Sequence, residues 1–89
     1  MNDREFVYTY RTKIGTFRIQ SYKTKFALFI DFPRGDWDML TSCVSVSDGI
    51  EYVERQDTGL SDWDDLSSVP DKVGDIEAWH RRRLVPRRA

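Results

Sequence analysis

Residues 6–32 carry their side chains in period two, and this pattern constrains the fold more than any other feature of the chain. Phe6, Tyr8 and Tyr10 alternate with Val7, Thr9 and Arg11, as in a strand whose two faces differ. Gly15 then predicts either a turn or a bulge in a continuing strand. Beyond it, Phe17 and Ile19 fall on one face and Thr16, Arg18 and Gln20 on the other. Ser21 to Thr24 is polar enough for a hairpin loop, without a Gly to set the turn type. Phe26-Ala27-Leu28-Phe29-Ile30-Asp31-Phe32 is nearly all apolar, so a third strand is expected to be central or covered on both faces. Three such strands in succession predict an antiparallel meander.

The second half is written differently. Pro33-Arg34-Gly35-Asp36 has the composition of a turn, and Met39 to Cys43 suits a short fourth strand. Ser45 or Ser47 offers an N-cap, with Asp48, Glu51 and Glu54 placed early in a helix. Ile50 and Val53 supply its buried stripe, Gly49 weakens it by about 1 kcal/mol relative to Ala, and Thr58-Gly59 is expected to end it. Trp63 and Leu66 are three apart and read as anchors of a single turn. Pro70-Asp71 opens a further helical segment carrying Val73, Ile76 and Trp79. The expected fold class is therefore α+β: a three- to four-stranded antiparallel β-meander packed by one helix, with a short C-terminal helix. Residues 1–80 form the single domain, and 81–89 a basic, disordered tail. The expected core is Phe6 or Val7, Tyr8, Ile14, Phe17, Ile19, Phe26, Leu28, Ile30, Ile50, Val53, Trp63, Ile76 and Trp79.

A chain of 89 residues has room for one core. Its twelve aromatic residues suit a thin core filled by large rings. No stretch reaches the roughly 20 apolar residues of a membrane-spanning helix, and Met1-Asn2-Asp3-Arg4-Glu5 lacks the apolar region of a secretory signal. With one cysteine, Cys43, no internal disulfide forms, and the cytoplasm is the expected compartment.

Several short motifs, taken in order, resemble a family of small uncharacterised bacterial proteins. They are Ile14-Gly15-Thr16-Phe17-Arg18-Ile19, the apolar strand Phe26 to Phe32, Leu40, the helix around Ile50 and Val53, Thr58-Gly59, Trp63-Asp64, Pro70, and Ile76 with Trp79. The resemblance spans residues 6–79. It departs where such relatives place Trp in the third strand and Ala in the helix; this chain has Phe26, and Gly49 or Ile50, near those places. It implies the fold and carries no activity.

Known chemistries lack their residues. Zinc needs about four Cys or His ligands, and the chain has Cys43 and His80 alone. Asp62, Asp64 and Asp65 lack the spacing, central Gly and closing Glu of a calcium loop, and read better as a solvated acidic loop beside Trp63. Cys43 and His80 as a catalytic dyad compete with a buried, inert thiol near a strand end. Asp31 interrupts an apolar strand, where it either accepts backbone hydrogen bonds or pairs with Arg18 or Arg34. The five glycines are isolated, so there is no phosphate loop, and Arg34-Gly35-Asp36 is a turn. No cofactor and no catalytic residue are expected.

Charge is the informative property. Residues 1–30 hold six Lys or Arg against two acids, a net +4; residues 31–77 hold thirteen acids against three cations, a net −10; residues 78–89 hold five Arg, a net +5. The overall charge of −1 hides three blocks of alternating sign. We read the chain as a non-enzymatic binding module, with a protein partner met through an acidic face, at Asp62, Asp64 and Asp65, as the preferred reading. The alternative is nucleic acid on a basic sheet face, at Arg11 and Arg18 with Lys13 and Lys25, helped by Arg81, Arg82 and Arg83; the −10 block opposes this unless it faces away. The plainest reading is that the blocks pair with one another.

Overall fold

The computed structural model describes residues 3–84. Among them, β1 (Phe6–Arg11), β2 (Thr16–Tyr22), β3 (Lys25–Asp31), β4 (Trp37–Cys43) and β5 (His80–Arg83) form one antiparallel sheet in the order β4-β3-β2-β1-β5. The helices α1 (Val46–Glu54) and α2 (Ser61–Asp64) and the 3-10 turns Asp71–Gly74 and Ile76–Ala78 follow β4. The class is α+β, with five strands rather than three or four.

The alternation sets the register. Tyr8 lies opposite Ile19 and Tyr10 opposite Phe17; Phe17 lies opposite Ile30 and Ile19 opposite Leu28. These residues, with Phe26, meet Ile50, Val53, Trp63, Val73 and Trp79 in one core. Phe17, Ile19, Leu28, Ile30, Val53 and Val73 are fully buried. The covered face of the sheet therefore carries the hydrophobic stabilisation, each such side chain contributing roughly 1.5–3 kcal/mol.

The turns resolve what the sequence left open. Gly15 closes the β1–β2 hairpin, exchanging backbone hydrogen bonds with Thr12 at 2.8 and 3.3 Å. Its φ is +152°, and a Cβ there would stand 2.8 Å from the Asp31 carbonyl, so a side chain is excluded. Lys23 sits at φ +56° in the β2–β3 turn. Arg4 braces that turn by donating to the Lys23 carbonyl at 3.2 Å and to that of Thr24. Arg34-Gly35-Asp36 lies in the β3–β4 turn, closed by Phe32 N–H donating to the Asp36 carbonyl at 2.8 Å. A bulge between Leu28 and Phe29 shifts the pairing with β4.

Ser45 is the N-cap of α1, its hydroxyl accepting from Asp48 N–H at 3.0 Å, while the Asp48 carboxylate accepts from Val44 N–H at 3.1 Å. The helix ends at Glu54, earlier than Thr58-Gly59, because Gln56 takes the left-handed conformation at φ +57° and turns the chain. Gly49 is the point of closest approach to the sheet: a Cβ there would lie 2.9 Å from Ile19 Cδ1 and 3.1 Å from Cys43 Sγ.

Two further expectations are corrected. The segment after Pro70 is two 3-10 turns, not a helix, and Ile76 is 43% exposed instead of in the core. Val73 and Trp79 make that anchor, the Trp79 indole N–H donating to the Val73 carbonyl at 2.8 Å and its ring 5.4 Å from Tyr10. Arg81, Arg82 and Arg83, expected in a disordered tail, are strand β5: Tyr8 pairs with Arg81, Val7 with Arg82 and Phe6 with Arg83. Without β5, β1 would leave its outer backbone groups unpaired. An edge strand needs no apolar side chains of its own, so nothing in Arg-Arg-Arg announces one. Residues 85–89 of the expected tail lie outside the described residues.

The packing at Gly49 gives a test. Gly49→Val should destabilise the domain by about 1–3 kcal/mol through overpacking against Ile19 and Cys43, read as a lower urea midpoint. An unchanged midpoint would show that α1 does not pack on the sheet at this distance.

Candidate binding face

The helical segments that follow β4 pack on one side of the sheet, and among the described residues no helix covers the alternate residues on its other side. From β4 to β5 these are Trp37, Met39 and Ser42; Lys25, Ala27, Phe29 and Asp31; Thr16, Arg18, Gln20 and Tyr22; Val7, Thr9 and Arg11; and His80 and Arg82. Three aromatic rings cross this open face. Phe29, 5% exposed, lies between Tyr22, with ring centroids 6.3 Å apart, and Trp37, at 5.8 Å, both in edge contact. The outer two are accessible, Trp37 at 58% and Tyr22 at 40%, and Met39 beside them at 41%.

Arg18 ties the face together. Its guanidinium donates to Asp31 twice, at 2.8 and 2.9 Å, and to Gln20 Oε1 at 2.8 Å. Its Cζ lies 4.3 Å from the centroid of Phe29 and 6.0 Å from that of Trp37. A bidentate pair resting on a ring is geometrically selective; it flattens the Arg18 side chain onto Phe29 and leaves the edges of the outer rings open. Of the two roles expected for Asp31, pairing with Arg18 is the one found.

The other cations expected to contact nucleic acid divide by strand alternation. Arg11 and Arg82 fall on the open face, and Lys13 lies in the β1–β2 turn. Arg81 and Arg83 point to the covered side, where their guanidinium carbons lie 4.5 and 5.3 Å from the Phe6 centroid. Arg83 also pairs with Glu5 at 2.9 Å. Lys25, read from the sequence with the same basic face, lies on the open face opposite Tyr22.

The acidic candidates also separate. Asp62 and Asp65 are exposed. Asp64 is structural: its carboxylate accepts from Thr58 N–H at 3.1 Å, Thr58 Oγ1 at 2.8 Å and Gly59 N–H at 2.8 Å. Gln56 completes this corner by donating to the Trp63 and Leu66 carbonyls at 3.0 and 2.7 Å.

Catalysis by Cys43 and His80 is ruled out by topology. They lie on the two outermost strands, four inter-strand steps or about 19 Å apart. Burial, and then the charge of Asp48, push the Cys43 thiol up to about 11, the environment of an inert cysteine. Among the described residues no group of three or more His, Cys, Asp or Glu could hold a metal ion, and no helix is long and apolar enough to cross a membrane. Compared with known protein families, curated proteins and solved structures, the chain has no match.

The division among the three aspartates is measurable. Asp64→Ala, which strips the buried Thr58 of its acceptor, should cost about 2–3 kcal/mol in urea unfolding. Asp62→Asn and Asp65→Asn should each change stability by less than about 0.5 kcal/mol.

Proposed function

We propose that this chain is a non-enzymatic binding module that takes single-stranded nucleic acid on the open face of its sheet. The observation that carries the reading is the pairing of accessible rings, Trp37 and Tyr22, with cations on one uncovered surface. Bases stack on such rings at about 1–3 kcal/mol each, and flanking cations contact phosphates. Among the described residues Arg11, Lys25 and Arg82 have no ion pair, so their charge is available to a polyanion.

Two further facts support it. The acids that opposed this reading in the linear sequence are mostly carried by α1, α2, the 3-10 turns and their loops, on the opposite side of the sheet. The open face bears Arg11, Arg18, Lys25 and Arg82 against Asp31 alone. Width favours a single strand: five strands span about 19 Å, whereas the major groove of a duplex is about 12 Å wide.

A protein partner on the acidic side is the second reading. It is favoured by a groove of about 710 Å³ between α1 and the 3-10 turns, lined by Asp48, Glu51, Glu54 and Asp75 with the exposed Ile76.

Fluorescence anisotropy with a labelled oligothymidylate at low and physiological salt tests the first reading. Binding should weaken steeply with salt and exceed that of a duplex of equal length. Trp37→Ala should weaken it about 5- to 100-fold, with the fold retained because Trp37 is a surface residue. No affinity at low salt, or a Trp37→Ala protein that changes from dimer to monomer without losing nucleic-acid affinity, would overturn the proposal.

A further inference from the structure

A second site lies on the covered side, beneath the β1–β2 turn. A cavity of about 510 Å³ opens between that hairpin end and the chain that follows α2. Its walls are largely apolar: Tyr10 and Ile14 from the hairpin, with Trp63, Leu66 and Pro70 opposite. The volume is within the range of small-molecule sites, which are mostly apolar with a few charged or polar groups that orient the ligand.

Three features give the cavity a chemistry. Trp63 is 2% exposed and its indole N–H is already donated to the Val53 carbonyl at 2.9 Å, so toward the cavity it offers only its ring. Leu66 stands 42% exposed at the wall, an apolar side chain outside the core. The charged lining residues are Arg11 and Lys13, and no Asp or Glu is among the lining. The cations come from the basic N-terminal block, and the wall from residues 63–70 adds no acid to the lining, so the charge at the cavity's edge is of one sign.

We propose that this cavity binds a small organic anion, a carboxylate on an aromatic or short aliphatic body. The body lies against Ile14, Trp63 and Leu66, and the carboxylate meets Lys13 at the mouth. The site is separate from Trp37 and Tyr22, so it stands whether or not the open face takes nucleic acid.

The full chain, labelled at its Ile and Leu methyl groups, is titrated by NMR with 4-phenylbutyrate, 4-phenylbutanol and 4-phenylbutylamine. The carboxylate should shift the Ile14 and Leu66 methyl signals with millimolar or tighter affinity, and bind about 3- to 10-fold more tightly than the amine at low salt. Lys13→Glu should remove that preference while the alcohol binds as before. Leu66→Asp, at an exposed position, should abolish binding of the carboxylate, and Trp37→Ala should leave it unchanged. Methyl signals that do not move with the carboxylate, or equal affinity for carboxylate and amine, would defeat the proposal, as would an effect of Trp37→Ala equal to that of Leu66→Asp.

Discussion

The indole of Trp63 touches the sheet, the long helix and the turn that follows it. Its ring packs edge-on against Phe17, with centroids 4.9 Å apart, and its N–H reaches the Val53 carbonyl at 2.9 Å. A buried indole donor left unpaired costs about 1–3 kcal/mol, so the hydrogen bond fixes the distance at which α2 can lie from α1. The neighbouring interactions follow from that placement. Gln56 can reach the Trp63 and Leu66 carbonyls, and Asp64 can reach Thr58 and Gly59, because α2 is held where Trp63 puts it. The helical layer is thin, one nine-residue helix and three single turns on the covered face, and side-chain-to-carbonyl bonds of this kind replace the helix–helix packing it lacks.

Layering converts charge that is blocked along the chain into charge that is opposed in space. The N-terminal basic block is in strands and hairpin turns; the acidic block is chiefly in the helical segments; the C-terminal Arg run returns to the sheet as β5. Among the described residues, pairs between blocks include Arg18 with Asp31, part-buried, and Arg83 with Glu5, exposed. Arg55 with Glu51 is a local helix pair, and Arg34 with Asp36 sits within one turn. Exposed pairs of this kind contribute at most about 1 kcal/mol each.

What the sequence could reveal depended on whether a residue's role was written in its own periodicity. Strands β1 to β3 and the stripe of Ile50 and Val53 were legible because burial on one face imposes period two or a three-to-four spacing on the side chains themselves. Strand β5 was hidden because its contribution is backbone hydrogen bonding to β1, to which Arg side chains are indifferent. The end of α1 was hidden because Gln56, rather than a glycine, takes the left-handed conformation. Ile76 misled for the opposite reason: its spacing from Val73 and Trp79 is helical, but the 3-10 geometry rotates it into solvent. At the candidate site, Arg11 and Arg18 were legible as strand cations. Trp37 and Tyr22 were not, since nothing in a sequence says which face of a sheet is left uncovered.

Arg18 shows why the open face needs more than a count of cations. With both Asp31 oxygens and Gln20 as partners, its guanidinium cannot turn to a phosphate without surrendering a bidentate pair. Its position over Phe29 serves a different end, because the pair covers the middle ring and holds it edge-on to its neighbours. Were Phe29 uncovered, Tyr22, Phe29, Trp37 and Met39 would merge into one apolar patch, a surface suited to self-association. Covered by an ion pair, the same residues present two separate rings with polar atoms between them. On the proposed reading, that arrangement would suit a ligand offering alternate flat apolar and charged groups rather than a flat apolar partner. The proposed ligand, stacked bases on a charged backbone, is matched to this arrangement in a way that a second copy of the face is not.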